Sequence, residues 1–190
     1  GRTLAFQARY VGSIPITRSI FLPRSTILMK GTKAMIDSYV ALDIETTGLN
    51  PAADRIIEIG MARVCNGNVT DTYSTLVNPG IKISDRIIEL THIHNEELTD
   101  KPRINKLIED VIQFIGDYPI LGHNVIFDYS FLKKAAVNNN LVFPSAGIDT
   151  LKIARRILPE LEHKKLDYLC EYLKVDPGNC LLYTSDAADE

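Results

Sequence analysis

The run YVALDIETTG, Tyr39–Gly48, decides how this chain is read. An apolar, β-branched stretch ends in two carboxylates, Asp43 and Glu45, with one residue between them. In a strand, residues two apart point to the same side, so both acids leave one face together. Val40, Ala41, Leu42 and Ile44 read as interior strand. Two like charges at its end need either water or a compensating cation. A hard divalent metal held by carboxylate oxygens meets the second need. Two solvated acids at an exposed strand end meet the first, and the local pattern leaves both open.

Outward from this run the pattern is regular. The first strand is Tyr39–Asp43 and the second is IIEIGMARV, Ile56–Val64. Asn66-Gly67-Asn68 is a strong turn signal, and Val69–Val77 then completes a three-strand meander closed by Pro79-Gly80. Apolar residues at Ile104, Leu107, Ile108, Val111, Ile112 and Ile115 predict a helix over Lys101–Asp117, with Pro102 in its first turn. Pro119–Gly122 is a short strand, Ile126–Asn138 a helix, and Ala146–Asp149 a last short strand. Helices follow at Thr150–Leu158 and Lys165–Leu173. A meander followed by alternating helix and strand predicts an α/β fold, a mixed sheet with helices on both faces.

The 190 residues suffice for one domain with a sizeable core. A hydrophobic content of 45% and a charged content of 24% are those of a soluble globular protein. No apolar stretch approaches the roughly 18 residues of a membrane span. Cys65, Cys170 and Cys180 show neither CxxC pairing nor zinc spacing, which fits a reducing, cytoplasmic setting. The net charge of -3 is uneven: residues 1–34 carry six bases and no acid, whereas residues 35–179 carry 15 bases and 21 acids. A chain that grips nucleic acid by charge alone is usually basic, so any such binding here is local and metal-assisted. Residues 1–34 show no sustained period and read as disordered or upstream sequence ahead of Met29 or Met35, with a basic nucleic-acid arm as the competing reading. The domain is expected over residues 35–179.

Two further motifs bear on the acids. GHNVIFDYSFL, Gly122–Leu132, places His123, Asn124 and Asp128 around the start of a helix whose Phe127, Phe131 and Leu132 are apolar. IDTLKIAR, Ile148–Arg155, sets an acid at a strand-to-helix junction. DIETTGL with IIEIG, GHNVIFDYSFL and IDTL together resemble the DEDD superfamily of 3′–5′ exonucleases, in the DEDDh branch of the DNA polymerase III epsilon subunit. The resemblance covers about residues 37–175. It implies a ribonuclease-H-like mixed five-stranded sheet and removal of nucleotides from DNA 3′ ends. It also implies two divalent ions, Mg2+ or Mn2+, between Asp43, Glu45 and Asp128. On the substrate side it points to Thr46, Thr47, Leu49, His123, Asn124 and Phe127. The implied partners are a single-stranded or frayed DNA 3′ end and a DNA polymerase subunit. An RNA exonuclease and a catalytically inactive nucleic-acid-binding module are the alternatives.

The remaining polar residues have plainer expectations. Glu58 is expected to order a nearby loop and Asp149 to cap the following helix. His92 and His94 are expected on the surface, His92 where the family usually has Gly. Lys133-Lys134, Arg155-Arg156 and Lys164-Lys165 read as solvated helix faces. The family's third motif, a His and an Asp separated by four residues, is expected shortly after Leu166–Val175, and the sequence lacks it there. His163 and Asp167, at a spacing that shares a helix face, are a poor substitute. The tail Cys180–Glu190 resembles translated sequencing adapter, so the chain is expected to be C-terminally truncated, short of its general base, and slow or inactive.

Overall fold

A computed structural model describes residues 28–29, 32–33, 36–143 and 147–174. Leu28–Met29 (β1) and Thr32–Lys33 (β2) form a small antiparallel pair in a stretch where the sequence predicts no regular element. The other expectations for residues 1–34, and those for 180–190, fall outside the described residues.

Three long strands carry the main sheet: β3 (Tyr39–Thr46), β4 (Ile56–Cys65) and β5 (Asn68–Leu76), paired as an antiparallel meander. Asn66 and Gly67 have φ of 50° and 72°. Two successive left-handed residues make the tight two-residue turn whose twist suits a hairpin, and Asn-Gly adopts it at least cost. β3 outruns its predicted end at Asp43, because Ile44, Glu45 and Thr46 stay paired with β4. β6 (Ile120–Gly122) and β7 (Gly147–Asp149) add in parallel, giving the order β5-β4-β3-β6-β7. This is the mixed five-stranded sheet the pattern predicts.

Among the described residues six helices complete the fold: α1 (Asp85–Thr91), α2 (Asn95–Leu98), α3 (Ile104–Ile115), α4 (Ile126–Asn138), α5 (Thr150–Ile157) and α6 (Leu166–Tyr172). α4 has its predicted bounds. α3 starts later than predicted: Arg103 is extended at φ -78°, and the Pro102 carbonyl accepts from Asn78 N at 3.0 Å. Pro102 therefore lies ahead of the helix, not in its first turn. α1 and α2 are too short to show a period in sequence, yet they bury Ile83, Ile93 and Leu98 around Ile57 of β4. His92 ends α1 at φ 56°, the left-handed conformation that Gly adopts freely. It and His94 are exposed, as expected.

Alternation along β3 sends its residues into two cores. Val40, Leu42 and Ile44 join Ile108 and Val111 of α3 and Phe131 and Leu132 of α4. Tyr39 and Ala41 join Val64, Leu121 and Ile148 on the opposite face. Each fully buried apolar side chain contributes about 1.5–3 kcal/mol, so β3 is anchored on both sides before its acids are reached. Among the described residues, no helix is long and apolar enough to cross a membrane.

Candidate active site

β3, β6 and β7 run parallel and end at one edge of the sheet. β3 is also where the sheet changes direction, with antiparallel β4 on one side and parallel β6 on the other. Asp43 and Glu45 sit at the end of β3, His123 and Asn124 just beyond β6, and Asp149 at the end of β7.

The β3–β4 register sets the environment of the first two acids. Asp43 stands opposite Gly60, which brings no side chain against it, and Glu45 stands opposite Glu58. Glu45 and Glu58 are 8% and 4% exposed. Directly opposed side chains share a face, and like charges there are unfavourable. Glu58 is thus a buried strand acid standing opposite Glu45.

Asp128 completes the group from the first turn of α4. β6 pairs only with Val40 and Ala41 of β3, so the strand's later amides on that side need another acceptor. Asp128 Oδ1 accepts from Ile44 N at 3.1 Å, and Ile44 lies between Asp43 and Glu45. One hydrogen bond therefore fastens the third acid to the backbone of the first two. Burial raises the Asp128 pKa well above the ordinary carboxylate range. The negative charges of Asp43 and Asp149 add to this, and the Ile44 amide works against it.

The donors are all carboxylate oxygens, which suit hard cations such as Mg2+ or Mn2+, and a cation would offset the crowding of negative charge at Asp128. Among the described residues no group of three or more His, Cys, Asp or Glu side chains forms a ready metal cage. The acids fit an ion in charge and donor type, with the rest of its shell left to water and substrate, as magnesium sites commonly are.

The frame around the acids is closely bonded. Asp149 Oδ1 accepts from Leu151 N (3.0 Å) and Lys152 N (3.3 Å), the helix-capping role expected, and also from Asn124 N (3.1 Å). Asn124 has φ 61°, a left-handed turn that Asn tolerates better than most residues. His123 Nε2 donates to the Lys164 carbonyl at 2.8 Å, and Nδ1 lies 2.9 Å from Thr150 Oγ1. With both nitrogens engaged, His123 holds β6 to α5 and to the segment before α6.

The expected substrate-side residues divide. Thr46 Oγ1 donates to the Gly48 carbonyl, while Thr47 Oγ1 donates to Asp54 Oδ1 and accepts from Arg55 N, so these hydroxyls shape the loop after β3. Phe127 packs on Phe131 with ring centroids 5.1 Å apart, partly within the core. Leu49 is 62% exposed beyond the acids, and Ile126, not singled out from sequence, is 56% exposed two residues before Asp128. Lys134 is not on a solvated face: Nζ donates to the carbonyls of Pro51 (2.6 Å) and Ala52 (2.7 Å). His163 and Asp167 do not share a helix face either. α6 begins only at Leu166, after an extended Lys165, and leaves His163 outside it.

The chain belongs to the RNase T exonuclease family, whose model matches residues 40–178. Within it, the chain is 34% identical over 143 residues to the PolC-type DNA polymerase III of Clostridium perfringens, covering 75% of this chain and 10% of that protein. It is 38% identical over 137 residues to the PolC-type enzyme of Caldanaerobacter subterraneus, covering 72% and 10%. The chain thus spans about a tenth of the length of these curated relatives. A crystal structure of E. coli Exonuclease I in complex with a dA16 oligonucleotide superposes with a TM-score of 0.65 at 19% identity, over 79% of this chain and 38% of that one. That likeness shows the fold, the ribonuclease-H-like sheet implied by the motifs.

Proposed function

We propose that this chain is a 3′–5′ exonuclease domain of the proofreading type. It would remove nucleotides from DNA 3′ ends with two divalent ions, Mg2+ or Mn2+, held by Asp43, Glu45 and Asp128. The bond from Ile44 N to Asp128 carries the reading, because it joins an acid 84 positions away to the backbone between the other two. DNA as substrate and a polymerase as partner are supported by the PolC-type relatives and by the oligonucleotide in the Exonuclease I complex. A reducing, cytoplasmic compartment suits Cys65 and Cys170, neither of which is in a disulfide.

Divalent ions held there would supply an activated water for attack on the phosphodiester and positive charge at the departing 3′ oxygen. Asp43, Glu45 and Asp128 supply the negative oxygens that hold them. The Ile44 amide keeps Asp128 oriented with its carboxyl toward β3. Leu49 and Ile126 offer exposed apolar surface on which a nucleobase can rest. His123, bonded at both nitrogens, is a frame residue and not the base.

A single-stranded oligonucleotide labelled at its 5′ end tests this. Slow shortening from the 3′ end, dependent on Mg2+ or Mn2+ and lost in Asp43→Ala, is expected. Cleavage that persists in Asp43→Ala, or in excess EDTA, would overturn the assignment.

A further inference from the structure

We infer that Lys134 is a positioning residue for the substrate's 3′ end, fixing the loop that follows the first two acids to the helix that carries the third. The inference rests on the exonuclease reading above. The loop runs from Thr47 to Arg55, and its internal order comes from Asp54. Asp54 Oδ2 accepts from Asn50 N at 2.9 Å and Oδ1 from Thr47 Oγ1 at 3.3 Å, while the Asn50 carbonyl accepts from Ala53 N and Asp54 N. Gly48 lets this carboxylate lie close: a Cβ there would stand 2.6 Å from Asp54 Oδ2. These bonds give the loop a shape but do not place it relative to α4.

Lys134 places it. Its ammonium reaches back from α4 to the carbonyls of Pro51 and Ala52. Both are charge-assisted bonds, about twice as strong as neutral ones. Two acceptors on adjacent residues fix direction as well as distance. Asp128 lies six positions earlier on the same helix, under two turns away. A loop that exposes the apolar side chain of Leu49 and a helix that exposes Ile126 beside Asp128 are thereby joined into one edge. A nucleotide resting on that edge meets a surface already ordered. Without the tether, the loop's placement against α4 would have to be fixed on binding, which weakens affinity.

The test compares binding of a linear oligonucleotide with that of a circular one of the same sequence, in Ca2+, with amide hydrogen exchange over residues 50–54 read in parallel. Wild type is expected to prefer the linear form. Lys134→Met is expected to lose roughly tenfold in affinity for the linear form, on the scale of ordering a short loop. Its affinity for the circular form stays unchanged and its loop amides exchange faster. Lys134→Arg, which can also donate to two carbonyls, restores both. A wild type with no preference for the free end sinks the exonuclease reading and this inference with it. A wild type with that preference, unaltered in Lys134→Met, sinks the inference alone. So does an equal loss for the linear and circular forms.

Discussion

At Asp128 stability and chemistry pull in opposite directions. The carboxyl is buried, faces the charges of Asp43 and Asp149, and holds its proton well above the ordinary carboxylate range. The folded chain therefore keeps a proton there that the unfolded chain releases. The stability this gives the metal-free protein is fully present below about pH 4, the unfolded value, and is lost as pH rises through the raised one. Asp128→Asn keeps an oxygen for the Ile44 amide and cannot ionise. In EDTA at neutral pH it should melt above wild type, by roughly 2–4 °C for each kcal/mol recovered, and its melting temperature should not fall with pH through this group. Thermal melts from pH 4 to 8 check this; equal slopes for both proteins would show that Asp128 is not strained by ionisation.

Among the elements, β6 and the turn after it do the most with the fewest residues. Only Ile120–Gly122 pair as strand. The turn is then held by His123 to Thr150 and Lys164 and by Asn124 N to Asp149. Gly122 allows the close approach: a Cβ there would meet the Leu42 carbonyl oxygen at 3.1 Å. His123→Ala removes two partners at once and leaves the Lys164 carbonyl without its donor. A loss of about 1–3 kcal/mol is expected, read as a lower urea midpoint, with faster amide exchange between residues 158 and 165. An unchanged midpoint would mean that the segment before α6 is held by other contacts.

Over the whole molecule, legibility in the sequence followed the physics of each signal. The meander and α4 were readable because their periods are long and Asn66-Gly67 announces its own turn. The placement of Asp43 and Glu45 on one strand is legible because two-residue spacing sets their common face, while the bond from Ile44 N to Asp128 emerges only in the fold. Glu58 facing Glu45 was not legible, since a cross-strand partner depends on register, and the register shifts between Glu45 and Thr46. Lys134 was misread because a lysine on a helix looks solvated until a loop 82 positions earlier folds back to it. Short α1 and α2 offered no period at all. The hydroxyls of Thr46 and Thr47 turned inward because the loop needed them.

All of these elements converge on one claim, that Asp43, Glu45 and Asp128 form a binding site for divalent cations. Calorimetric titration of Mn2+ into the wild-type protein and into Asp43→Asn tests it without depending on turnover. The expected result is uptake by wild type and at least tenfold weaker binding by the variant, the loss of one charged ligand being worth about 1.4 kcal/mol or more. Equal uptake by the two proteins, or none by wild type, would contradict it.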